Sequence, residues 1–438
     1  MSGFVLYLIF ILPAYFRSTH AFYCLDRLNP LEFSQAVVVE CSPPSRKRNI
    51  TPSPDNSISA GLKNVLKFPA ANIKTLPVLP QPDGNAKSMI HMDVSCHDGD
   101  NALCANVKSA LIKTASTISQ EYLHVRQILI LIGSAAPART IPLEDEDNVI
   151  RFYPQALIKQ FNLTSALLYG PYDIQAIFNS DSEFSFDDSI TTNQSDFRYV
   201  SLHELIHGLG FTSAWDDYVN TADPVSITPH LLFVYPDPSK HNVHFAGFIE
   251  NAFDRFIQTP TGSLSQKAAQ MNHDFGPSTD FISDDALLRS YQNSHAWDIG
   301  KDILVEASTA NTFKFDGKIV LETSIKFKAG SSVSHVSADL YSSTQDFLMR
   351  HVQQQGSTLE ECIQKHGDPV YGAFGPGLRA VLGNLGYRVR GGIPTNDPSR
   401  KDSTLDSSKI TLKASSRSDA QRGASWVTLF LGLWLLLL

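Results

Sequence analysis

Asp196-Phe197-Arg198-Tyr199-Val200-Ser201-Leu202-His203-Glu204-Leu205-Ile206-His207-Gly208-Leu209-Gly210-Phe211 is the stretch on which the reading of this chain turns. Residues four apart on an α-helix stand one above the other on the same face. A helix through this run therefore lets His203 and His207 direct imidazole nitrogens to one cation. Glu204 stands beside the first of them, where a carboxylate can take a proton from a water at that cation. Leu202, Leu205, Ile206 and Leu209 give the helix an apolar back. Gly210 can adopt positive φ and stop it sharply. Zn2+ suits such a set, being borderline-soft, redox-inert and well held by imidazoles in a tetrahedral site. Three protein ligands would leave the fourth position to water, so the pattern points to zinc-assisted hydrolysis.

Two histidines leave the set one ligand short. The residues alone leave His230, His241, His244, His273, His295, His335, His351 and His366 open as the third. Upstream, Ala105 to Ile118 carries apolar residues at helical spacing, and Gln127 to Gly133 is a short apolar run suited to a buried strand. Tyr172 to Phe178 alternates and predicts another strand. A helix and strands leading into a metal-binding helix make an α+β arrangement. Downstream, Asp216 to Asp316 is a long mixed stretch, and Lys318 to Phe327 alternates weakly as a strand would. Gly375 to Gly386 predicts a closing helix, with Leu378, Val381, Leu382 and Leu385 on one stripe and Gly386 placed to end it.

The two ends carry addresses. Phe4 to Tyr15 is an apolar run too short to span a bilayer comfortably, and Thr19-His20-Ala21 follows as a cleavage pattern, so residues 1–21 read as a signal peptide. Ala414-Ser415-Ser416, a polar spacer and the apolar tail Trp426 to Leu438 are the parts of a glycolipid-anchor signal. Residues 417–438 are then expected to be removed, leaving the chain tethered through lipid at the outer face of the plasma membrane or cell wall. Residues 22–89 read as a pro-segment or linker, with Lys47-Arg48 as a processing site or a plain surface turn. Residues 90–387 are the expected catalytic domain and 388–416 a polar stalk. Sequons at Asn49, Asn162 and Asn193 fit a secretory route. Of five cysteines, the local pairs Cys24–Cys41 and Cys96–Cys104 are the simplest disulfides, which leaves Cys362 over. A formal charge of -8 supplies no basic excess for phosphates, which argues against nucleic acid as a partner.

The Asp196–Phe211 stretch resembles the active-site helix of the leishmanolysin-type metzincins. Metzincins commonly place a third histidine just after the glycine, where this chain has Ser213; the leishmanolysin branch departs in the same way, through an insertion. Gly330-Ser331-Ser332-Val333-Ser334-His335-Val336 resembles the segment that supplies the last ligand there, which implies His203, His207 and His335 as the zinc set. Asp346-Phe347-Leu348-Met349 is similar to the family's Met-turn, although Arg350-His351 stands where a small residue and proline are common. Tyr371 to Tyr387 resembles the closing helix, Tyr172 to Ser180 the edge strand that lines the cleft, and Phe253-Asp254-Arg255-Phe256 a segment within the insertion. The resemblance implies a mixed sheet with the active-site helix in an N-terminal lobe. It also implies a C-terminal lobe with the third ligand, the Met-turn and the closing helix. The implied activity is a zinc metalloendopeptidase acting on protein or peptide substrates, with Glu204 as general base. Two readings compete: a thermolysin-like hydrolase with a downstream Glu ligand, and a surface adhesin with a purely structural zinc site.

Overall fold

A computed structural model of the chain describes residues 23–27, 36–40, 90–94, 101–121, 128–131, 136–145, 147–161, 169–170, 172–176, 178–179, 182–218, 223–235, 242–276, 279–391 and 426–428. The expected signal peptide, the Pro- and Ser-rich part of the linker, Lys47-Arg48, the sequons at Asn49 and Asn162 and nearly all of the stalk and anchor signal lie outside them. So do Cys41 and Cys96. No described helix is long and apolar enough to cross a membrane.

Strands β1 (Tyr23–Arg27) and β2 (Ala36–Glu40) pair antiparallel, and β1 pairs in turn with a later strand, described below. Strand β3 (Ile90–Asp93) is followed by helix α1 (Asn101–Glu121), which buries Ala110, Leu111, Ala115 and Ile118, the stripe its spacing predicts. Strand β4 (Ile128–Leu131) sits inside the apolar run 127–133. Strands β5 (Ala136–Pro137), β6 (Arg139–Glu144) and β7 (Ile150–Pro154) follow, then a single turn α2 (Gln155–Ile158) and strand β8 (Ile174–Gln175).

The first sheet has the order β3-β4-β8-β5, with β3, β4 and β8 parallel and β5 antiparallel. This corrects the expectation for Tyr172 to Ser180. Its strand, Ile174–Gln175, lies between β4 and β5, and the edge belongs to Ala136–Pro137. Proline has no N–H to give a ladder, so an edge is where Pro137 is tolerated. The interior position suits Ile174, which is 1% exposed.

Strands β9 (Phe184–Ser185) and β10 (Ser195–Asp196) form a short parallel pair leading into helix α3 (Phe197–Gly208). The long stretch after it resolves into a hairpin, three helices and short strands. Strands β11 (His230–Tyr235) and β12 (Val243–Ile249) pair antiparallel, and β13 (Ile257–Thr259) and β14 (Gly262–Ser263) make a second hairpin. Helix α4 (Leu264–Phe275) opens on a capping box between Ser263 and Gln266. Strand β15 (Thr279–Phe281), helix α5 (Asp284–Gln292) and helix α6 (His295–Ala307) complete this region. Phe245, Phe248, Phe275 and Tyr291 pack as one aromatic cluster beneath it.

Strand β16 (Lys314–Phe315) pairs with β17 (Ile319–Val320). The strand expected over Lys318 to Phe327 thus shrinks to two residues. From Leu321 the chain leaves that sheet because it bridges Val336 and bonds to the loop around His335. Helices α7 (Ala338–Tyr341), α8 (Leu359–His366) and α9 (Pro376–Leu385) follow, and Trp426–Thr428 forms β18. The largest sheet is antiparallel throughout, in the order β15-β12-β11-β18-β2-β1-β6-β7. Helix α9 is the expected closing helix, with Pro376 at its start and Gly386 left-handed at φ 116. A single large apolar core runs from Ile90 to Val389 through these elements. The architecture is a mixed α+β fold.

Candidate metal centre

Helix α3 is fixed at both ends and along its back. Asp196 caps it by accepting from the Arg198 N–H at 2.8 Å, and its other oxygen accepts the Leu359 N–H at 2.5 Å. The hydroxyls of Ser201 and Thr114 on α1 meet at 2.9 Å. Gly208 has a packing role: a Cβ there would lie 2.2 Å from Cγ2 of Ile174, so only glycine lets β8 approach so closely. Gly210, at φ 111, turns the chain out of the helix as its residue type predicts. The Tyr387 hydroxyl, just past α9, donates to the Leu209 carbonyl at 2.9 Å and holds that exit.

His203, His207 and His335 converge. Their Nε2 atoms stand 3.1 Å apart in all three pairings, and all three side chains are buried. They form the group among the described residues whose ligand atoms come close enough to share one metal ion. Each Nδ1 donates to a backbone carbonyl: His203 to Leu348 at 2.8 Å, His207 to Phe211 at 2.7 Å and His335 to Ser331 at 2.9 Å. A carbonyl only accepts, so each neutral ring carries its proton on Nδ1 and turns a bare Nε2 lone pair inward. Burial and the neighbouring His203 ring pull the His207 pKa down to about 3, and burial with its two histidine neighbours holds His335 well below its usual value.

Three inward lone pairs with no proton among them repel one another unless a cation lies between them. Zinc–nitrogen bonds of about 2.0–2.1 Å at tetrahedral angles put ligand nitrogens about 3.3 Å apart, close to the spacing observed. The donor set and its spacing therefore fit a zinc-sized ion. Five of the remaining candidates are engaged elsewhere, His366 sits in the last turn of α8 outside this group, and His241 lies outside the described residues. His230 meets Tyr218 and Asn251, His244 meets Asp280, and His273 and His295 flank Asp274. His351 approaches Glu322 and packs edge-on against His335, with ring centroids 6.4 Å apart.

Glu204 lies on the half-buried side of α3, and among the described residues no side chain pairs with its carboxylate. Met349 is buried in the 3-10 turn Phe347–Met349, whose Leu348 carbonyl is the one that orients His203. The Arg350-His351 departure has a structural sense. Arg350 Nε donates to the Phe347 carbonyl, while its other nitrogens reach the Ser342 and Tyr199 hydroxyls. The guanidinium thus closes the Phe347–Met349 turn. Ser213 donates from its hydroxyl to buried Asp254 at 2.6 Å. Its N–H donates to the Ser334 hydroxyl at 3.0 Å, next to His335. Burial and the Glu250 charge push the Asp254 carboxyl up to about 8.

Sequence reasoning did not reach Arg350, Asp254 or Glu322 as supports of the triad. A charged residue in an otherwise apolar or small-residue segment was the signal available for each. Cys104 is disulfide-bonded, Cys362 is a free half-buried thiol, and Asn193 of the third sequon is exposed in the turn before β10. The pairings Cys24–Cys41 and Cys96–Cys104 involve side chains outside the described residues.

Comparison with known proteins gives a family and one annotated relative to set beside the geometry. Residues 120–412 match the family described as SPBPB7E8-like, a span that takes in Glu204 and all three histidines. A protein of Schizosaccharomyces pombe (strain 972), named uncharacterized protein PB7E8.01, is 31% identical over 284 residues. The alignment covers 59% of this chain and 50% of the relative, so the chain spans about half the length of the curated relative it matches. No solved structure matches the chain.

Proposed function

We propose that this chain, which belongs to the SPBPB7E8-like family, is a zinc metalloendopeptidase of leishmanolysin-like metzincin type. The observation that carries the reading is the convergence of three Nε2 lone pairs at 3.1 Å, with Glu204, which pairs with no side chain among the described residues, one residue from the first of them. The order along the chain supports it too: helix with two ligands, third ligand at His335, a buried methionine turn and a closing helix.

His203, His207 and His335 would hold the ion. Bound there, zinc would polarise a carbonyl and bring the pKa of a water toward neutrality. The chain's own residues do the rest. The carbonyls of Leu348, Phe211 and Ser331 lock the three rings in one tautomer and direction, so no reorganisation is needed when the ion is loaded. Glu204 takes a proton from the attacking water as its oxygen bonds to the scissile carbonyl carbon. It returns that proton to the amine nitrogen as the C–N bond breaks. The water is thereby divided between the new carboxyl and amine ends.

Glu204→Gln separates binding from chemistry. The variant should keep its zinc by metal analysis while cleavage of a peptide library falls about a thousandfold. A metal-replete Gln variant that still cleaves would remove Glu204 from the mechanism. A wild-type protein that holds zinc firmly and cleaves nothing would favour the structural-zinc adhesin. For location, the expected leader and tail place the protein on the secretory route, tethered by a glycolipid at the cell surface. Release from cells by a phosphatidylinositol-specific phospholipase checks this, and retention after treatment rules the tether out.

A further inference from the structure

His203 and His207 ride on one helix, but His335 reaches the same point from a loop 128 residues beyond His207. That loop contains a costly residue. Val333 has φ 65, a left-handed conformation that a β-branched residue adopts only under strain. Such a conformation persists only where its surroundings impose it. Glu322 imposes it from three directions. Its N–H donates to the His335 carbonyl at 2.8 Å, and its own carbonyl accepts the Val333 N–H at 2.9 Å. Its side chain is fully buried. One carboxylate oxygen accepts the Ser324 N–H at 2.9 Å and the Ser324 hydroxyl. The other accepts the Ala338 N–H at 2.8 Å, beyond His335, and lies 3.0 Å from His351 Nδ1.

A buried carboxylate is expensive unless its oxygens are occupied, so a carboxylate that collects donors from several segments also dictates where they sit. We propose that Glu322 is the positioning residue for the third ligand: its carboxylate ties Ser324 and Ala338 around the His335 loop and thereby sets how tightly the triad holds a divalent metal. This rests on the triad's being a metal site and not on peptide hydrolysis. Glu322 itself touches neither metal nor substrate. His351, half-buried against the His335 ring, joins the loop to the segment that follows the methionine turn.

The test uses the full chain and two metals. Zinc affinity is measured by competition with a chromophoric chelator, and the Co2+-loaded protein is read by its visible absorption, which reports ligand geometry. Glu322→Gln should weaken zinc binding about 10-fold or more and shift or flatten the cobalt bands. Ala338→Pro approaches the same contact from the donor's side. It removes the N–H that Glu322 accepts at the first position of a helix, where proline is tolerated, and Ser337 before it, at φ -54 and ψ 118, lies outside the α region that a following proline disfavours. It should change the bands in the same direction with a smaller loss of affinity, and it decides the matter alone if the Gln variant does not fold. Unchanged affinity and unchanged cobalt bands in the folded variants overturn the proposal. A wild-type chain that takes up neither metal overturns the metal reading as well, which is a different result from unchanged variants of a chain that binds.

Discussion

The two halves of the triad are built by different means. His203 and His207 are placed by a 12-residue helix whose periodicity alone puts them on one face. His335 is placed by loop contacts from separate segments: the Ser213 N–H on Ser334 across 121 residues of chain, Glu322, and the carbonyl of Ser331. The first half is rigid because a helix satisfies its own backbone. The second half must be held by outside donors and acceptors, and each of those is a buried polar group that cannot be lost cheaply. A helix ligand pair should therefore fail through packing, and a loop ligand through hydrogen bonding.

The packing side of this contrast is open to a harsh test at Gly208. Its would-be Cβ collides with Ile174, a side chain 1% exposed and wedged between two strands. Gly208→Val should destabilise the chain by about 3 kcal/mol or more by overpacking, read as a fall in the denaturant midpoint. Ile174→Ala in the same chain should return part of that loss, because the two substitutions share one volume. If the two losses simply add, the helix is not seated by that contact.

The hydrogen-bonding side is tested at Ser213. Ser213→Ala takes a donor from buried Asp254 and an acceptor from the Trp215 N–H, at a cost of about 1–3 kcal/mol. Zinc affinity should fall to the extent that losing the hydroxyl displaces the Ser213 backbone, whose N–H, kept by alanine, holds Ser334 beside His335. A pH dependence follows. Asp254 has a folded-state pKa raised to about 8, so its stabilising share is present at low pH and is lost as pH rises toward that value. The Ser213 hydroxyl lowers that pKa, and without it the value moves higher still. The gap in stability between wild type and Ser213→Ala should thus widen above about pH 8. A gap that stays level across pH 6 to 9 would mean that Asp254 does not titrate against this contact.

The same contrast explains what could be read from the sequence. The helix of the first half was legible because its spacing and terminating glycine are local signals within Asp196 to Gly210, although its Asp196 cap was not read. The closing helix was visible for the same reason. His335 stood out only by resemblance, since eight histidines were open and nothing local separates one loop histidine from another. Its supports were not picked out: a Glu322 that gathers Ser324 and Ala338 has no spacing rule behind it, only a charge among apolar neighbours. The strand at Tyr172 to Ser180 was found, but its place in the sheet was not. Alternation reports that a segment is extended and leaves open which neighbours it pairs with.

The weakest expected effect bounds the contrast from below. Helix α3 has two charged contacts at its start, and they differ in burial. Asp196 is buried, caps the helix and accepts the Leu359 N–H. Arg198 reaches Glu360 at 2.8 Å, but the Glu360 side chain is 48% exposed. Solvent and salt screen such a pair, and exposed pairs contribute about 0–1 kcal/mol. Glu360→Gln should therefore change stability by less than about 0.5 kcal/mol and leave zinc affinity unaltered, whereas Asp196→Ala should cost about 1–2 kcal/mol through the cap. Paired denaturation curves at low and high salt check the ranking. If Glu360→Gln proves the costlier of the two, an exposed ion pair matters more to the helix than its buried cap, and the division between the two halves of the triad does not hold.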